Sequence, residues 1–452
     1  MPLKRKRWHF GVLPFTGTGH VKPLIALSLE LKRRGHRVTF FEKPKIEGRV
    51  REAGLEFSAI DKAKLQPEGN EGRDHVAGVF SDISKLRFNL RRVVDDLRIF
   101  AEQLPPAIRE KNVDALIVNE IALVGPTVAE LLRLPYFVIS TSVPHNFGWD
   151  PYRWYSGCRF STSWSSWLER RLLELSVFRM RGPILHAIDD FRHRAGLDRQ
   201  RRLATNHPAL AHITQLPECL DIPHAGLADN FHYTGPFVSS AAISDVDFPW
   251  EKLDQRPMIY ASLGTTRNVQ PEILRLIAKA CSSVDAQLVI SLGGRFTPEG
   301  FAGLPGNPLV VKFAPQLDLL KRAAVVISHC GMNSALEALL EGKPIVAIPI
   351  AYDQPAIAAR LERKKAAIVL PIMRLSARRI RAAVTKLLHD ESYRDAARDL
   401  QAKLQALRGS EYAANIIEKA LGNYAEGHSA CSAYKQKTTI RERNALLNNP
   451  TS

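Results

Sequence analysis

The sequence has 452 residues, of which 45% are hydrophobic and 24% are charged. At about 150 residues per domain, this length predicts two or three domains, and the composition excludes a small disulfide-stapled scaffold and a largely disordered chain. Lys and Arg exceed Asp and Glu by 63 − 46 = +17, but the excess is spread evenly: 35 − 26 = +9 over residues 1–236 and 28 − 20 = +8 over 237–452. The positive charge is spread evenly and no nucleic-acid-binding motif accompanies it. Both observations argue against a nucleic-acid partner.

The cysteine pattern and hydropathy predict a compartment. The five cysteines lie far apart without C-x-x-C spacing, which favours a reducing environment over a disulfide framework or a zinc site. No apolar run reaches the roughly 18 residues of a membrane span. The basic cluster Lys4–Arg7 is followed by a Gly-rich turn rather than a signal-peptide core. We therefore expect a cytoplasmic protein.

Short apolar runs typical of buried strands alternate along the chain with amphipathic helical segments, the pattern of βαβ units and a parallel sheet. In the first half, the predicted strands are Trp8–Leu13, Arg37–Phe41, Val113–Val118, Pro135–Ser140 and Ala211–Leu216. In the second half, they are Pro257–Leu263, Ala286–Leu292, Pro308–Phe313, Ala324–Ser328, Pro344–Ile348 and Ala366–Leu370. The predicted fold is α/β, with two facing Rossmann-like, doubly wound domains and a ligand cleft between their carboxyl edges.

The domain boundaries follow from breaks in this pattern. Residues 1–236 form the predicted N-terminal domain, and the polar stretch 237–256 forms a linker. Residues 257–424 form the C-terminal domain, which ends in three helical patterns, Ser376–His389, Glu391–Leu407 and Glu411–Leu421. The polar, aperiodic residues 425–452 are predicted to be a disordered tail.

The first predicted strand is followed by a turn that contains Gly17 and Gly19 and then by His20 at the start of a helix. A lone G-x-G is a weak phosphate signature. The positive end of the helix macrodipole disfavours imidazolium, so His20 would stay neutral and able to accept a proton. His20 is therefore either a general base at the cleft or a histidine that packs at the helix start.

Polar groups also follow strands in the second half. Ser262, Gly264 and Thr265 come after its first strand. The segment His329–Ser334 opens a helix whose free N-terminal amides can bind a diphosphate without a metal. Glu337 lies on the same helical face, where its carboxylate could accept ribose hydroxyls. Taken alone, this segment could equally be an ordinary helix cap.

Two flanking pieces favour the binding interpretation. Phe313 and Gln316 end the preceding strand and offer an aromatic face and an amide. Asp353 and Gln354 follow the next strand and place a carboxylate and a carboxamide where sugar hydroxyls could bind. A base-stacking ring, a ribose acceptor, a phosphate-binding loop and sugar-binding groups thus occur in order on successive strand ends.

These residues resemble the donor-binding signature of the UDP-dependent glycosyltransferases, the inverting enzymes that glycosylate plant secondary metabolites, macrolides and carotenoids. F-A-P-Q at Phe313, H-C-G-M-N-S-x-x-E at His329 and D-Q at Asp353 fall at the spacing of that family. G-H-V-x-P-L at Gly19 and S-L-G-T at Ser262 agree with it. The resemblance spans residues 8–424, is closest to bacterial zeaxanthin and macrolide glucosyltransferases, and implies the GT-B architecture.

The resemblance implies a role for each matching residue. Phe313 would stack on uracil, and Gln316 and Glu337 would hold ribose. The diphosphate would be bound by His329, Gly331, Asn333 and Ser334, with Ser262, Gly264 and Thr265 also on the donor side. Asp353 and Gln354 would contact the sugar, His20 would deprotonate the acceptor hydroxyl, and Phe15, Trp149 and Trp154 would line the acceptor site. The resemblance implies no cofactor beyond the UDP-sugar co-substrate and no metal.

One departure from the family pattern concerns catalysis. The aspartate that normally pairs with the histidine is Asn119 here, followed by Glu120. An asparagine can orient an imidazole through its carbonyl but cannot stabilise imidazolium by charge. Alternation along a strand would direct Glu120 away from the side of Asn119. The partner of His20 therefore stays open between these two residues.

The expected function is inverting O-transfer of a hexose from a UDP-sugar to a hydroxyl of a lipophilic small molecule, such as a carotenoid, flavonoid, macrolide or terpenoid. A Gln at position 354 is linked to glucose donors in the family. The alternatives are a lipid-linked UDP-GlcNAc transferase or an epimerase on the same fold, and a catalytically impaired UDP-sugar-binding protein. The Trp- and Arg-rich segment Trp149–Arg202 suits peripheral contact with an anionic membrane, an apolar acceptor mouth, or core packing.

Overall fold

The computed structural model describes residues 6–61, 83–144, 182–199, 208–222, 227–238, 246–264, 270–294 and 296–427. Each half of the chain contributes one sheet. The strands of the first sheet are β1 (His9–Leu13), β2 (Arg37–Glu42), β3 (Glu56–Ala59), β4 (Ala115–Asn119), β5 (Tyr136–Ser140), β6 (Ala211–Thr214) and β7 (Phe231–Tyr233). The strands of the second are β8 (Met258–Ser262), β9 (Gln287–Ser291), β10 (Leu309–Val311), β11 (Ala323–Ser328), β12 (Ile345–Ala347) and β13 (Ala367–Val369).

Helices connect most of these strands and cover both sheets. In the first half they are α1 (Thr18–Arg33), α2 (Glu47–Glu52), α3 (Ile83–Lys111), α4 (Gly125–Leu132) and α5 (182–194). In the second half they are α6 (Pro271–Cys281), α7 (Gln316–Arg322), α8 (Met332–Leu340), α9 (Gln354–Arg363), α10 (Ala377–His389), α11 (Glu391–Gln405) and α12 (409–427).

Both sheets are parallel throughout and reverse their strand order at one point. The order is β3-β2-β1-β4-β5-β6-β7 in the first sheet and β10-β9-β8-β11-β12-β13 in the second. In doubly wound sheets, ligands bind at the carboxyl edge where the order reverses. The loops after β1 and β4, and those after β8 and β11, therefore mark the expected site. The predicted doubly wound α/β fold is confirmed for both halves.

The burial of the strands explains why they could be predicted from the sequence. Every residue of β1, β4, β5 and β8 is buried, because helices cover both faces of a parallel sheet. One apolar cluster also joins the halves: Val143 and Leu216 of the first pack in the same core as Met332 and Leu361 of the second. The two halves therefore share buried apolar surface at their contact.

The last described helix, α12, packs on the first sheet, although the sequence placed residues up to 424 in the C-terminal domain. Ala413 and Ile417 of α12 pack in the core of the first sheet with Phe10 and Leu24. Glu418 of the same helix accepts hydrogen bonds at the first half, from Arg34 at 2.7 Å among others. The chain thus returns to the first half after completing the second. Helix α12 also extends to residue 427, so residues 425–427 are helical rather than part of the predicted tail.

The predicted linker 237–256 contains residues from both cores where the structure describes it. Phe237 is buried in the first core and Phe248 in the second. Residues 239–245, between them, lie outside the described part, as do residues 428–452 of the predicted tail. Among the described helices, none combines the length and apolar character needed to cross a bilayer.

Candidate active site at the domain interface

His20 lies in the first turn of α1, at the carboxyl edge of the first sheet. Its Nδ1 atom is 2.7 Å from the hydroxyl oxygen of Thr141, which directly follows β5. The ring of Phe15, 42% exposed, meets the imidazole edge-to-face with centroids 5.3 Å apart. The structure thus places the predicted base beside one predicted acceptor-binding ring.

Asn119 reaches His20 through Thr141. The amide Nδ2 of Asn119 donates to Thr141 Oγ1 at 3.0 Å, and Asn119 Oδ1 accepts from the backbone N–H of Ile121 at 3.1 Å. Because a backbone N–H can only donate, the second contact fixes which end of the amide faces Thr141. The order of contacts is Asn119, Thr141, His20, and both Asn119 and Thr141 are buried.

Glu120, the other candidate partner, contacts a different cluster. Its carboxylate accepts from Ser140 Oγ at 2.6 Å and lies 3.7 Å from the imidazole of His212. Ser140 Oγ is also 2.6 Å from His212 Nε2. Alternation at the end of β4 sends consecutive side chains to opposite faces, as the sequence had suggested. The structure therefore connects His20 with Asn119 through Thr141, and connects Glu120 with Ser140 and His212.

In the second half, the ring of His329 lies between two glycine backbones. A Cβ atom on Gly264, whose φ is +74°, would come within 2.5 Å of the imidazole, and one on Gly331 within 2.6 Å. Neither contact is tolerable for a real Cβ. The glycines of the S-L-G-T and H-C-G segments are thus required by the position of this ring.

The buried His329 ring stays neutral and keeps one nitrogen available. Burial lowers the pKa of His329 to about 4, so the imidazole is uncharged near neutral pH. Its Nδ1 atom has no hydrogen-bond partner within the described residues. A buried polar atom without a partner is rare and typical of a ligand site. This nitrogen is therefore a candidate contact for the donor.

The amides of the first turn of α8 are the second part of the predicted diphosphate site. Gly331 is the N-cap, and the first helical hydrogen bond runs from Ala335 N–H to Gly331 O. The amides of Met332, Asn333 and Ser334 precede that bond and are therefore outside the helical ladder. They provide N–H groups at the positive end of the helix, where anions bind.

The predicted ribose-binding pair is present and is held by a residue of the first half. Gln316 Nε2 donates to Glu337 Oε2 at 2.5 Å, and Lys22 of α1 donates to Glu337 Oε1 at 2.6 Å. The hydroxyl of Tyr260 donates to Gln316 Oε1 at 3.2 Å. Gln316 and Glu337 thus share one hydrogen-bonded cluster, in which Lys22 balances the charge of the buried carboxylate.

Asn333 connects the diphosphate segment directly to the residue before His20. Its Nδ2 donates to the carbonyl of Gly19 at 2.9 Å, and its Oδ1 accepts from Gln215 Nε2 at 3.0 Å. Gly19 O is available because its helical partner four residues on is Pro23, which has no N–H. The proline of the G-H-V-x-P-L segment thus leaves a carbonyl free to bond the second domain.

The base-stacking and sugar-binding candidates lie on the same edge. The ring of Phe313 is 48% exposed and lies across Gly294, whose missing Cβ leaves room for it. Gln354 begins α9 but is buried, and its Oε1 accepts from the amides of Ile350 and Ala351 at 2.9 Å each. Only the Nε2 end of Gln354 is therefore left to face a sugar. Asp353 is the N-cap of the same helix.

Three predicted residues, Thr265, Trp149 and Trp154, lie outside the described part, while Ser262 ends β8. The sequence reasoning missed Thr141, Lys22 and Gln215. Thr141 and Gln215 directly follow β5 and β6, so the rule that found the other loops could have found them. No local pattern could have identified Lys22, since its partner Glu337 lies in the other half of the chain.

Models of two protein families match the chain. Residues 12–145 match the glycosyltransferase family 28 N-terminal domain. Residues 245–404 match the UDP-glucuronosyl and UDP-glucosyl transferase family. The first region contains His20 and Asn119, and the second contains the segments from Ser262 to Gln354.

Individual proteins are similar over nearly the whole chain. A zeaxanthin glucosyltransferase from Pseudescherichia vulneris is 30% identical, covering 91% of this chain and 98% of that protein. One from Pantoea ananas is 29% identical, covering 91% and 96%. Among solved structures, the kitacinnamycin glycosyltransferase superposes with a TM-score of 0.71 at 24% identity, covering 92% of this chain and all of that one. The last comparison supports the two-domain GT-B fold.

Proposed function

The chain belongs to the UDP-dependent glycosyltransferase family and is a glycosyltransferase, and we propose that it is an inverting O-glycosyltransferase. In this proposal it moves a hexose, glucose in the first instance, from a UDP-sugar to a hydroxyl of a lipophilic small molecule. Carotenoids, flavonoids, macrolides and terpenoids are the acceptor classes considered. The zeaxanthin glucosyltransferases above favour a carotenoid-like acceptor among them.

One contact carries the proposal. Asn333, in the first turn of α8, bonds the carbonyl of Gly19, and the next residue is His20. The amides that would hold the leaving diphosphate and the base that would activate the acceptor are therefore joined across the cleft by one hydrogen bond. Such closeness is what a one-step displacement between two substrates requires.

The proposed reaction has a single step. His20 takes the proton of the acceptor hydroxyl while that oxygen attacks the anomeric carbon of the sugar. The bond from the anomeric carbon to the diphosphate oxygen breaks with inversion, and UDP carries away the electron pair. The first-turn amides of α8 would stabilise the developing charge on UDP. These groups are the basis for proposing that transfer needs no divalent metal.

The tautomer of His20 follows from the same contacts. If His20 is the base through Nε2, its Nδ1 must carry the hydrogen and donate to Thr141 Oγ1. Thr141 can accept that bond as well as the one from Asn119, since a hydroxyl oxygen has two lone pairs. We propose that Thr141 selects the active tautomer and that Asn119 holds Thr141 in place, the positioning function usually given to an aspartate.

Thr141→Val tests this positioning role. We expect the turnover of sugar transfer to fall about 10- to 100-fold, because a hydrogen bond of about 1–3 kcal/mol would no longer hold the imidazole. The KM for the UDP-sugar should change little, and Thr141→Ser should restore most of the rate. Steady-state kinetics with a pH–rate profile measures this, and an unchanged profile and rate in the valine variant would remove Thr141 from the mechanism.

An acceptor screen with UDP-glucose tests the function as a whole. We expect UDP release and a product heavier by one hexosyl residue with at least one of the four acceptor classes, at equal rates with and without EDTA. NMR of the product should show the anomeric configuration inverted from that of the donor. UDP-sugar binding without release for any acceptor would favour a catalytically impaired binding protein, the alternative raised by Asn119.

A further inference from the structure

The turn after β13 presents two exposed apolar side chains. This 3₁₀ turn, Ile372–Arg374, follows the edge strand of the second sheet. Met373 is 91% exposed and Ile372 36%, and Met373 is the most exposed of the large apolar residues that the structure describes. Single exposed apolar residues are common on folded domains, so this pair points to a contact surface only together with the charges around it. We call Ile372 and Met373 the apolar tip.

The sequence around the apolar tip is strongly basic. No Asp or Glu occurs between Glu362 and Asp390. Eight Lys and Arg fall in this interval, and all are exposed: Arg363, Lys364, Lys365, Arg374, Arg378, Arg379, Arg381 and Lys386. Across the described parts of the chain, none of the eight forms an ion pair with a carboxylate. Eight positive charges without an intervening acidic residue therefore occur within residues 363–389, a local concentration that the comparison of the two halves does not show.

Three of these cations lie next to the apolar tip. Arg374 is the last residue of the 3₁₀ turn, and Arg378 and Arg379 are in the first turn of α10. Arg379 bends back to donate to the carbonyl of Arg374 at 3.1 Å, and its backbone N–H bonds the capping Ser376. This folding back keeps the start of α10 against the turn. The apolar tip is thus flanked by cations on a rigid element.

We propose that the apolar tip, together with Arg374, Arg378, Arg379 and Arg381 of the basic segment 363–389, binds the surface of an anionic lipid bilayer. Clusters of four to eight Lys and Arg bind anionic lipid, and a small apolar projection adds affinity by entering the boundary of the acyl chains. Asp390, the first acidic residue after the segment, lies near Lys365 and Lys386 at the other end of α10, away from the apolar tip. A nucleic-acid site would instead combine the cations with stacking aromatics, and the segment 363–389 contains none.

The position of the apolar tip orients the cleft toward the bilayer. The tip follows β13 at the carboxyl edge of the second sheet, and Asp353 follows the neighbouring strand β12 at the same edge. A molecule bound through this surface would hold the edge with the donor residues next to the lipid. The proposed lipid binding is argued from charge and exposure alone. Its test is therefore independent of the test of the proposed transfer reaction.

Vesicle co-sedimentation of the full chain tests the proposal. We expect binding to phosphatidylcholine vesicles that contain phosphatidylglycerol, weaker binding in high salt, and little binding to phosphatidylcholine alone. The variant Arg374→Gln, Arg378→Gln, Arg379→Gln should lose about 100-fold in affinity, since each cation contributes roughly a fivefold factor. Met373→Ser should lose roughly tenfold, because the variant no longer inserts an apolar side chain.

A matched triple variant controls for net charge. Arg109→Gln, Arg398→Gln, Lys419→Gln removes three exposed cations from outside the basic segment and should bind almost as the unchanged chain does. The proposal is overturned if neutral and anionic vesicles bind equally or not at all, or if both triple variants lose the same affinity. The surface would be reassigned to an acidic protein partner if the chain bound polyglutamate but not vesicles, and if this binding were lost when the apolar tip was changed.

Discussion

Replacing His20 with alanine should lower the turnover of sugar transfer by about 10²- to 10⁴-fold, the contribution typical of a general base. The acceptor hydroxyl would then have to lose its proton to water as the bond to the anomeric carbon forms. In the proposed mechanism Thr141 orients the imidazole and Asn119 holds Thr141, so both contacts lose their function in the alanine variant. Turnover measured at saturating UDP-sugar and acceptor is the direct test.

Binding of the donor separates this effect from misfolding. UDP affinity in His20→Ala should stay within a few-fold of the unchanged protein, because the residues placed around the diphosphate belong to α8 and to His329. His193→Ala, an exposed histidine on α5, is the matched control and should keep full turnover. If His20→Ala were as active as that control, the base assignment would be wrong.

Most of the strands could be predicted because a parallel sheet covered on both faces produces continuous apolar runs. Val113–Val118 and Pro257–Leu263 are predicted strands of this kind, and they correspond to β4 and β8. The two missed strands lie at the edges of the first sheet. Glu56–Ala59 and Phe231–Tyr233 are short, and most of their residues are only partly buried, so neither produces an apolar run.

The packing partner of α12 could not be predicted from the residues of that helix. The apolar face of α12 shows that the helix packs on something, but amphipathicity does not identify the partner. Arg34 and His36, some 380 positions earlier, bind Glu418 and fix the choice. Such pairings depend on the assembled fold and leave no local pattern.

The residues of the candidate site also fall into those that the sequence could predict and those that depend on the assembled fold. Residues after strands, such as His329 and Glu337, could be predicted because parallel strands bring their carboxyl ends to one edge. The link from His20 to Asn119 through Thr141 could not, because it depends on the side chains of three separate loops. Gln354 differs again, since its carbonyl oxygen is used by its own loop and only its amide nitrogen is left for a sugar.

A buried ion pair connects the two halves of the chain. Arg360 of α9 donates through Nε and Nη2 to Asp221 Oδ1 at 2.9 and 2.8 Å, and both side chains are buried. Tyr233 of β7 donates to the other carboxylate oxygen at 2.7 Å. Burial, followed by the charge of Asp221, raises the pKa of the Tyr233 phenol. Both effects keep the phenol protonated, as its hydrogen bond to Asp221 requires.

Arg360→Met should lower the free energy of unfolding by about 3–5 kcal/mol, because it leaves the buried carboxylate of Asp221 without its cation. Arg363→Met, one turn away and exposed, should change stability by less than about 0.5 kcal/mol. The double variant Arg360→Met, Asp221→Leu should recover much of the loss, since apolar groups of similar size can replace a buried pair. Urea denaturation measures all three, and equal midpoints for the two methionine variants would show that the pair does not hold the halves together.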